Sequence, residues 1–147
     1  MIYLGSDHAG FELKRRVAAY LAKARIPHKD LGPYALDPED DYPDYCIPVA
    51  KAVARHKGSK GVVIGGSGIG EAIAANKVKG VRAAVVYDTF TAKKSREHND
   101  ANVIALRGRG VRPATSLRLL NVWLTTRFSG AVRHVRRINK ITSYERR

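Results

Sequence analysis

The chain has 147 residues, 44% of them hydrophobic and 27% charged, and its 27 Lys and Arg against 13 Asp and Glu give a formal net charge of +14. That length suits one domain burying roughly two-thirds of its unfolded surface; no apolar run approaches the ~18 residues of a membrane span, and a lone Cys46 excludes an internal disulfide. So basic a balance favours anionic partners: nucleic acid, an anionic membrane surface or a phosphorylated small molecule.

The opening "MIYLGSDHAG" is a β-prone run that delivers Gly5, Ser6 and Asp7 to its carboxyl end. Asp7 and His8 stand too early for a secretory signal, and a solitary cysteine agrees with a reducing compartment, so the expected location is cytoplasmic. In "FELKRRVAAYLAKARI" the apolar residues Phe11, Leu13, Val17, Tyr20, Leu21 and Ile26 fall close to helical spacing with basic residues between them, which predicts an amphipathic helix. The next segment, "GPYALDPEDDYPDY", is the one long candidate loop. It holds five of the 13 acids (Asp37, Glu39, Asp40, Asp41, Asp44) and is placed to cover a site. A helix follows "DYP", with Cys46 as a small core residue in it.

"KGVVIGG" is an apolar run of the kind buried on both faces of a sheet, and helix-like "GEAIAANK" follows it. "VRAAVVYD" precedes a helix through "TAKKSREHN", where Asp88 has no role beyond a helix cap. "ANVIALRG" precedes one through "PATSLRLLNVWLTTRF", and a basic helix over about 131–147 closes the chain. Strand and helix alternate, which specifies an open parallel sheet with helices on both faces, because parallel strands need crossover connections. Ligands in such folds bind beyond the carboxyl ends of the strands. Asp7, His8, residues 65–71 and Asp88 all follow predicted strands and are expected on one rim.

The stretch "IGGSGIGEAIAANK" at 64–77 invites a nucleotide-phosphate reading and refuses it. A dinucleotide fingerprint begun at Gly66 needs its third glycine at position 71, and a P-loop begun at Gly65 needs its lysine there; both meet Glu71. What remains is a strand, a glycine turn with convergent N–H groups and a helix N-terminus, a set of donors suited to a developing oxyanion. Ser67 and Glu71 stand four apart across that turn. Glu71 is then either a base beside an oxyanion hole or an ordinary acid in a first helical turn, where the helix dipole favours it.

Five stretches, "GSDHAGFELK", "DDYPDY", "GGSGIGEAIAANK", "SREHNDANVIALRGR" and "RHVRRI", together resemble the type B ribose-5-phosphate isomerases, grouped with the galactose-6-phosphate and allose-6-phosphate isomerases. The resemblance covers nearly the whole chain and implies a three-layer α/β/α, Rossmann-like open sheet of five parallel strands. One branch of the family has a cysteine at the position of Gly65 as proton-transferring base. This sequence lacks it and resembles a second branch, best represented in actinobacteria, in which the glutamate is the base.

The resemblance implies an aldose–ketose isomerase that interconverts ribose 5-phosphate and ribulose 5-phosphate through an enediolate, within the pentose phosphate pathway. Glu71 carries the proton between C2 and C1, Ser67 orients Glu71 or bonds the substrate, and N–H groups from Ser67 to Gly70, with Gly66 and Gly68 in the same turn, stabilise the enediolate. Asp7 handles protons between O1 and O2, and His98, with Asn99 beside it, opens the sugar ring. His8, Arg109, Arg133 and Arg137 hold the phosphate, the last two as a four-residue-spaced clamp. Tyr42 either packs over the sugar or is simple loop packing. Arg107, Arg136, Arg146 and Arg147 carry no such role and read as solvated surface. Dimers or dimers of dimers with shared sites are implied, with His98 and Asn99 completing a neighbour's pocket. Neither a metal nor a cofactor is expected, since the five histidines lack ligand spacing. Two alternatives stand beside this reading: an isomerase of a hexose 6-phosphate or a free sugar such as allose, and a basic nucleic-acid-binding protein.

Overall fold

Parallel strands buried on both faces need no alternation of polar and apolar residues. The central strand is the clearest case, with Val62, Val63 and Ile64 all fully buried. In the computed structural model, which describes residues 1–146, it is β3 (Lys60–Gly65) in a five-stranded sheet with β1 (Ile2–Ser6), β2 (His28–Asp30), β4 (Ala83–Val86) and β5 (Val103–Arg107). The order is β2-β1-β3-β5-β4 and every pairing is parallel. Among the described residues six α-helices connect and flank the strands: α1 (Phe11–Lys23), α2 (Pro43–Arg55), α3 (Ile69–Ala75), α4 (Thr89–Glu97), α5 (Pro113–Thr125) and α6 (Val132–Glu145).

Two apolar layers clamp the sheet. On one face Leu13, Val17 and Leu21 of α1 and Leu119, Leu120 and Trp123 of α5 pack on Leu4, Ile64, Ile104 and Leu106. On the other, Cys46, Val49, Ala50 and Val53 of α2 and Ala72, Ala74 and Ala75 of α3 pack on Tyr3, Val63, Val103 and Ala105. Each fully buried aliphatic side chain contributes about 1.5–3 kcal/mol, so these layers hold the strand ends that carry the site. Helix α6 has no buried residue at all. Its attachment includes a face-to-face stack of His134 on His98, with ring centroids 4.2 Å apart.

Four strands coincide with the runs read from the sequence. The fifth, β2, is only "HKD" and has no apolar residue; its pairing with β1 makes it a strand. Helix α1 stops at Lys23 rather than running to Ile26, because Arg25 adopts a left-handed conformation (φ 55°). The Arg25 N–H donates to the Ala22 carbonyl and the Ile26 N–H to the Leu21 carbonyl, the pair of bonds of a Schellman terminus. Lys14, read as one of the basic residues between the apolar positions, is instead 1% exposed. Its Nζ donates to Asp30 Oδ1 at 2.8 Å and to the Pro33 carbonyl at 2.6 Å, which is how an ammonium is tolerated there. Asp88 accepts from the Thr91 N–H at 2.6 Å and caps α4. Arg107, Arg136 and Arg146 are exposed as expected, and Arg147 lies outside the described residues.

A non-glycine residue in the left-handed region costs about 1–2 kcal/mol, part of which a glycine returns through the greater entropy of its unfolded chain. Arg25→Gly is therefore expected to raise the unfolding free energy by about 0.5–1 kcal/mol, read as a higher urea midpoint at unchanged slope.

Candidate active site

Strand order reverses between β1 and β3, because the chain leaves β1 for β2 on one side and continues to β3 on the other. Crevices form at such reversals beyond the carboxyl ends of the strands. Ser6 stands in register with Ile64, and Gly65 with Arg107, so the residues following β1, β3 and β5 are neighbours on one rim. The pairing continues past the strands: the Asp7 N–H donates to the Ile64 carbonyl, the Gly108 N–H to Gly65 and the Arg109 N–H to Gly66.

Glu71 lies at the centre of this rim and is 3% exposed. It belongs to the first turn of α3, whose N-cap Gly68 takes φ 83°, the left-handed turn that a glycine adopts without strain. The carboxylate folds back towards β3. A Cβ built on Gly65 would overlap Glu71 Oε1, so the carboxylate occupies the room that a side chain at 65 would need. Burial pushes the Glu71 pKa up, and the nearby Asp7 charge pushes the same way; the N–H groups of Glu71 itself and of Gly68 pull it back.

Ser67 is exposed and its Oγ accepts from the Ile69 N–H at 3.2 Å; among the described residues it makes no hydrogen bond to Glu71. The Ser67 and Gly70 N–H groups have no protein acceptor among the described residues and stay open to a ligand. Tyr42, at the start of α2, lies over Gly70, its Cζ 2.7 Å from where a Cβ there would sit. Its ring therefore roofs the glycine turn rather than packing elsewhere in the loop.

Asp7 is 7% exposed, and its Oδ1 accepts from the Gly10 N–H at 3.0 Å. His8 beside it bonds through Nδ1 to Asp40 Oδ1 at 2.7 Å, and its Nε2 lies 3.5 Å from Arg109 Nη2. Arg109 passes over Gly66, with its Cδ 3.6 Å from a Cβ built there. The hydrogen bond to Asp40 holds the His8 pKa above the ordinary histidine value, although Arg109 opposes it. Cys46, fully buried near Glu71 and Asp7, has its thiol pKa raised by burial and is inert packing.

The remaining predicted site residues are elsewhere. His98 caps the carboxyl end of α4, and Asn99 follows it just before β5 begins. In a parallel sheet that is the opposite end from the β3 carboxyl terminus. Arg133 and Arg137 lie exposed on α6 beside His134, whose pKa is pushed down by burial and by its neighbours His98, Arg137, Arg133 and Lys94. One chain therefore separates the predicted site residues into two groups, one around Glu71 and one around His98.

Two residues went unsingled by the sequence. Lys14 had a signal, since Lys14, Val17 and Leu21 share one helical face. Asp40 had none, because nothing in five clustered acids tells which one turns inward. Among the described residues no three His, Cys, Asp or Glu side chains gather as a metal site needs, and no helix is long and apolar enough to cross a membrane.

The sequence model of the Ribose/Galactose Isomerase family matches residues 2–141, and the chain belongs to that family. It is 46% identical over 145 residues to ribose-5-phosphate isomerase B of Mycolicibacterium paratuberculosis, covering 99% of this chain and 91% of the relative. Among solved structures it superposes on ribose-5-phosphate isomerase B of Mycoplasma genitalium with bound ribulose-5-phosphate at a TM-score of 0.95, with 40% identity and coverage of 99% and 95% of the two chains. The Clostridium thermocellum enzyme of the same name gives 0.94, with 43% identity and coverage of 99% and 97%.

A carboxyl whose folded pKa lies above its unfolded value favours the folded state most below the unfolded pKa, and that contribution is lost as pH rises through the folded one. Glu71→Gln keeps the shape and removes the ionisation. The variant is expected to be more stable than wild type at pH 7–8 and equal to it near pH 4, as measured by urea unfolding at both pH values.

Proposed function

We propose that this chain interconverts D-ribose 5-phosphate and D-ribulose 5-phosphate through an enediolate, with Glu71 as the base. The observation that carries the proposal is the Glu71 carboxylate, buried and folded into the space over Gly65. It stands where a side chain at 65 would, which supports the glutamate-base branch of the family. The relatives' names favour the pentose phosphate over a hexose phosphate or a free sugar, and one of those structures holds ribulose-5-phosphate. The nucleic-acid alternative has only the overall charge behind it.

Chemistry on the opened sugar runs in three moves. Glu71 removes the C2 proton, and the electron pair flows towards the C1 carbonyl oxygen to give the enediolate. The open Ser67 and Gly70 N–H groups stabilise the developing charge, and Asp7 passes the proton between O1 and O2. Glu71 then returns its proton to C1. A carboxylate pKa raised by burial suits both halves, because the base must accept and release the proton near neutral pH. Ser67 bonds substrate rather than Glu71, Gly66 and Gly68 shape the turn, and Tyr42 closes over the sugar.

Ring opening by His98 and Asn99 and the Arg133–Arg137 clamp require a second chain, since these groups lie at the far end of the sheet from Glu71. We read residues 1–147 as one isomerase domain of a cytoplasmic homodimer, or dimer of dimers, in which each pocket takes its acid–base half from one chain and its cationic half from another. His8 and Arg109 grip the phosphate from the acid–base side. The proposed route uses no metal or cofactor.

Loss of a general base typically costs 10²–10⁴ in rate. Glu71→Gln is expected to lower kcat on ribose 5-phosphate by about 10³-fold, with allose 6-phosphate and free allose poor substrates of the wild type. Glu71→Gln and His98→Asn chains refolded together in equal amounts are expected to regain about a quarter of wild-type activity, since half the dimers then carry one intact pocket of two. Inactivity of the wild type on ribose 5-phosphate, or an unimpaired Glu71→Gln, rejects the function. Activity without complementation rejects the shared pocket.

A further inference from the structure

Of the five acids between residues 37 and 44, four (Asp37, Glu39 and Asp41 in the loop and Asp44 in the first turn of α2) are exposed. Asp40 is not: its side chain is 5% exposed. One oxygen, Oδ1, takes two bonds from the same residue, from the His8 backbone N–H at 2.9 Å and from His8 Nδ1 at 2.7 Å. The other, Oδ2, is buried and has no hydrogen-bond partner among the described residues. A carboxylate desolvated to this degree and left half-satisfied is costly to the fold. Its contacts join two elements of the rim, the loop and the β1 terminus, and both end on His8.

We propose that Asp40 is a positioning residue of the phosphate site, fixing His8 as the Nδ1–H form so that Nε2 and the Arg109 guanidinium flank the place of the substrate phosphate. This inference rests on the reading of His8 and Arg109 as phosphate ligands given above.

An ionised carboxylate only accepts, so the proton between Asp40 Oδ1 and His8 belongs to Nδ1. The second bond, to the His8 backbone, fixes the distance between loop and ring, so the imidazole has one orientation. Nε2 then points to Arg109 at 3.5 Å, a long contact that leaves the two groups side by side rather than tightly joined. A phosphate arriving there accepts from both. The guanidinium is always charged, whereas Nε2 can donate only when the ring carries its second proton. Phosphate binding is therefore coupled to the proton on Nε2.

The charged groups facing His8 are Asp7 from its own segment, Asp40 from the loop before α2 and Arg109 from the segment after β5. The two acids favour the imidazolium and Arg109 disfavours it. With Asp40 in place the cation persists to higher pH, so phosphate affinity is highest below the His8 pKa and falls as pH rises through it. Without the Asp40 charge that fall begins at lower pH.

The test uses Asp40→Asn in the full-length protein and reads His8 directly, by long-range ¹H–¹⁵N NMR of its ring across a pH titration without ligand. The expected result is an Nδ1–H tautomer at high pH in wild type and a lower His8 pKa in the variant. In kinetics the variant is expected to raise KM for ribose 5-phosphate about threefold to tenfold on the alkaline side of the wild-type His8 titration, with kcat within about twofold and a smaller KM difference on its acid side. In a His8→Asn background the same change is expected to leave KM unaltered. An Nε2–H tautomer in wild type overturns the proposal, and this readout stands even if the variant does not fold. So does an unmoved His8 titration in the variant, or a KM rise equal at every pH. Because the titration needs no substrate, it separates failure of this inference from failure of the proposed activity.

Discussion

The structure turns on one steric exchange: a glycine at 65 makes room for a carboxylate supplied from six residues further on. Glu71 reaches that room because the chain turns sharply at Gly68 and starts α3 at once, so that the first helical turn faces back onto β3. The site gains a carboxyl group that is nearly out of water, close to Asp7 and backed by the buried face of α2. Burial and the nearby Asp7 charge raise its pKa, while the N–H groups at the helix start keep the ionised form accessible. A group balanced in this way both takes up and gives back a proton. An exposed glutamate in the same first turn would be a strong helix-dipole partner and a weak base.

Around that carboxylate the fold divides its labour by the two ends of the sheet. The carboxyl ends of β1, β3 and β5 bring Asp7, His8, the glycine turn and Arg109 together, and the acidic loop is pinned to them by Asp40 and by the Tyr42 ring over Gly70. The amino-terminal end holds His98 and Asn99, with α6 stacked on His98 through His134. Helix α6 buries none of its own residues and leaves Val132, Val135, Ile141 and Tyr144 exposed. An amphipathic helix in this state agrees with a pocket that a single chain leaves half built. Arg109 lies with the first group and Arg133 and Arg137 with the second, so three of the 27 Lys and Arg accompany the predicted site residues.

The layer order, the rim and the glycine turn were legible because each rests on a local signal: buried apolar runs, helical spacing and a glycine cluster. Strand β2 was not, since "HKD" becomes a strand only by pairing with β1. The end of α1 was not, because Arg25 carries no sign that it takes a left-handed conformation. Lys14 was mistaken for a surface residue although it shares a face with Val17 and Leu21; its acceptors, Asp30 and Pro33, come from the end of β2 and the loop after it. At the site, residue types and the glycine turn pointed to Glu71, and the family resemblance favoured a base; that its carboxylate is buried rather than exposed at the helix start no short stretch shows. Ser67 illustrates the limit: four-residue spacing placed it near Glu71, yet its hydroxyl serves the Ile69 N–H. The inward turn of Asp40 depends on where the loop lies over β1, which no short stretch encodes.

The central claim is that the space over Gly65 and the carboxylate of Glu71 form one functional unit, and a double-mutant cycle on ribose 5-phosphate turnover tests it most directly. Gly65→Ala puts a methyl group where Oε1 lies, so it must displace the carboxylate. The account predicts that Gly65→Ala alone lowers kcat by about 10²-fold or more, and that adding Glu71→Gln costs almost nothing further. A folded Gly65→Ala enzyme with near wild-type kcat, or two losses that multiply, would contradict it.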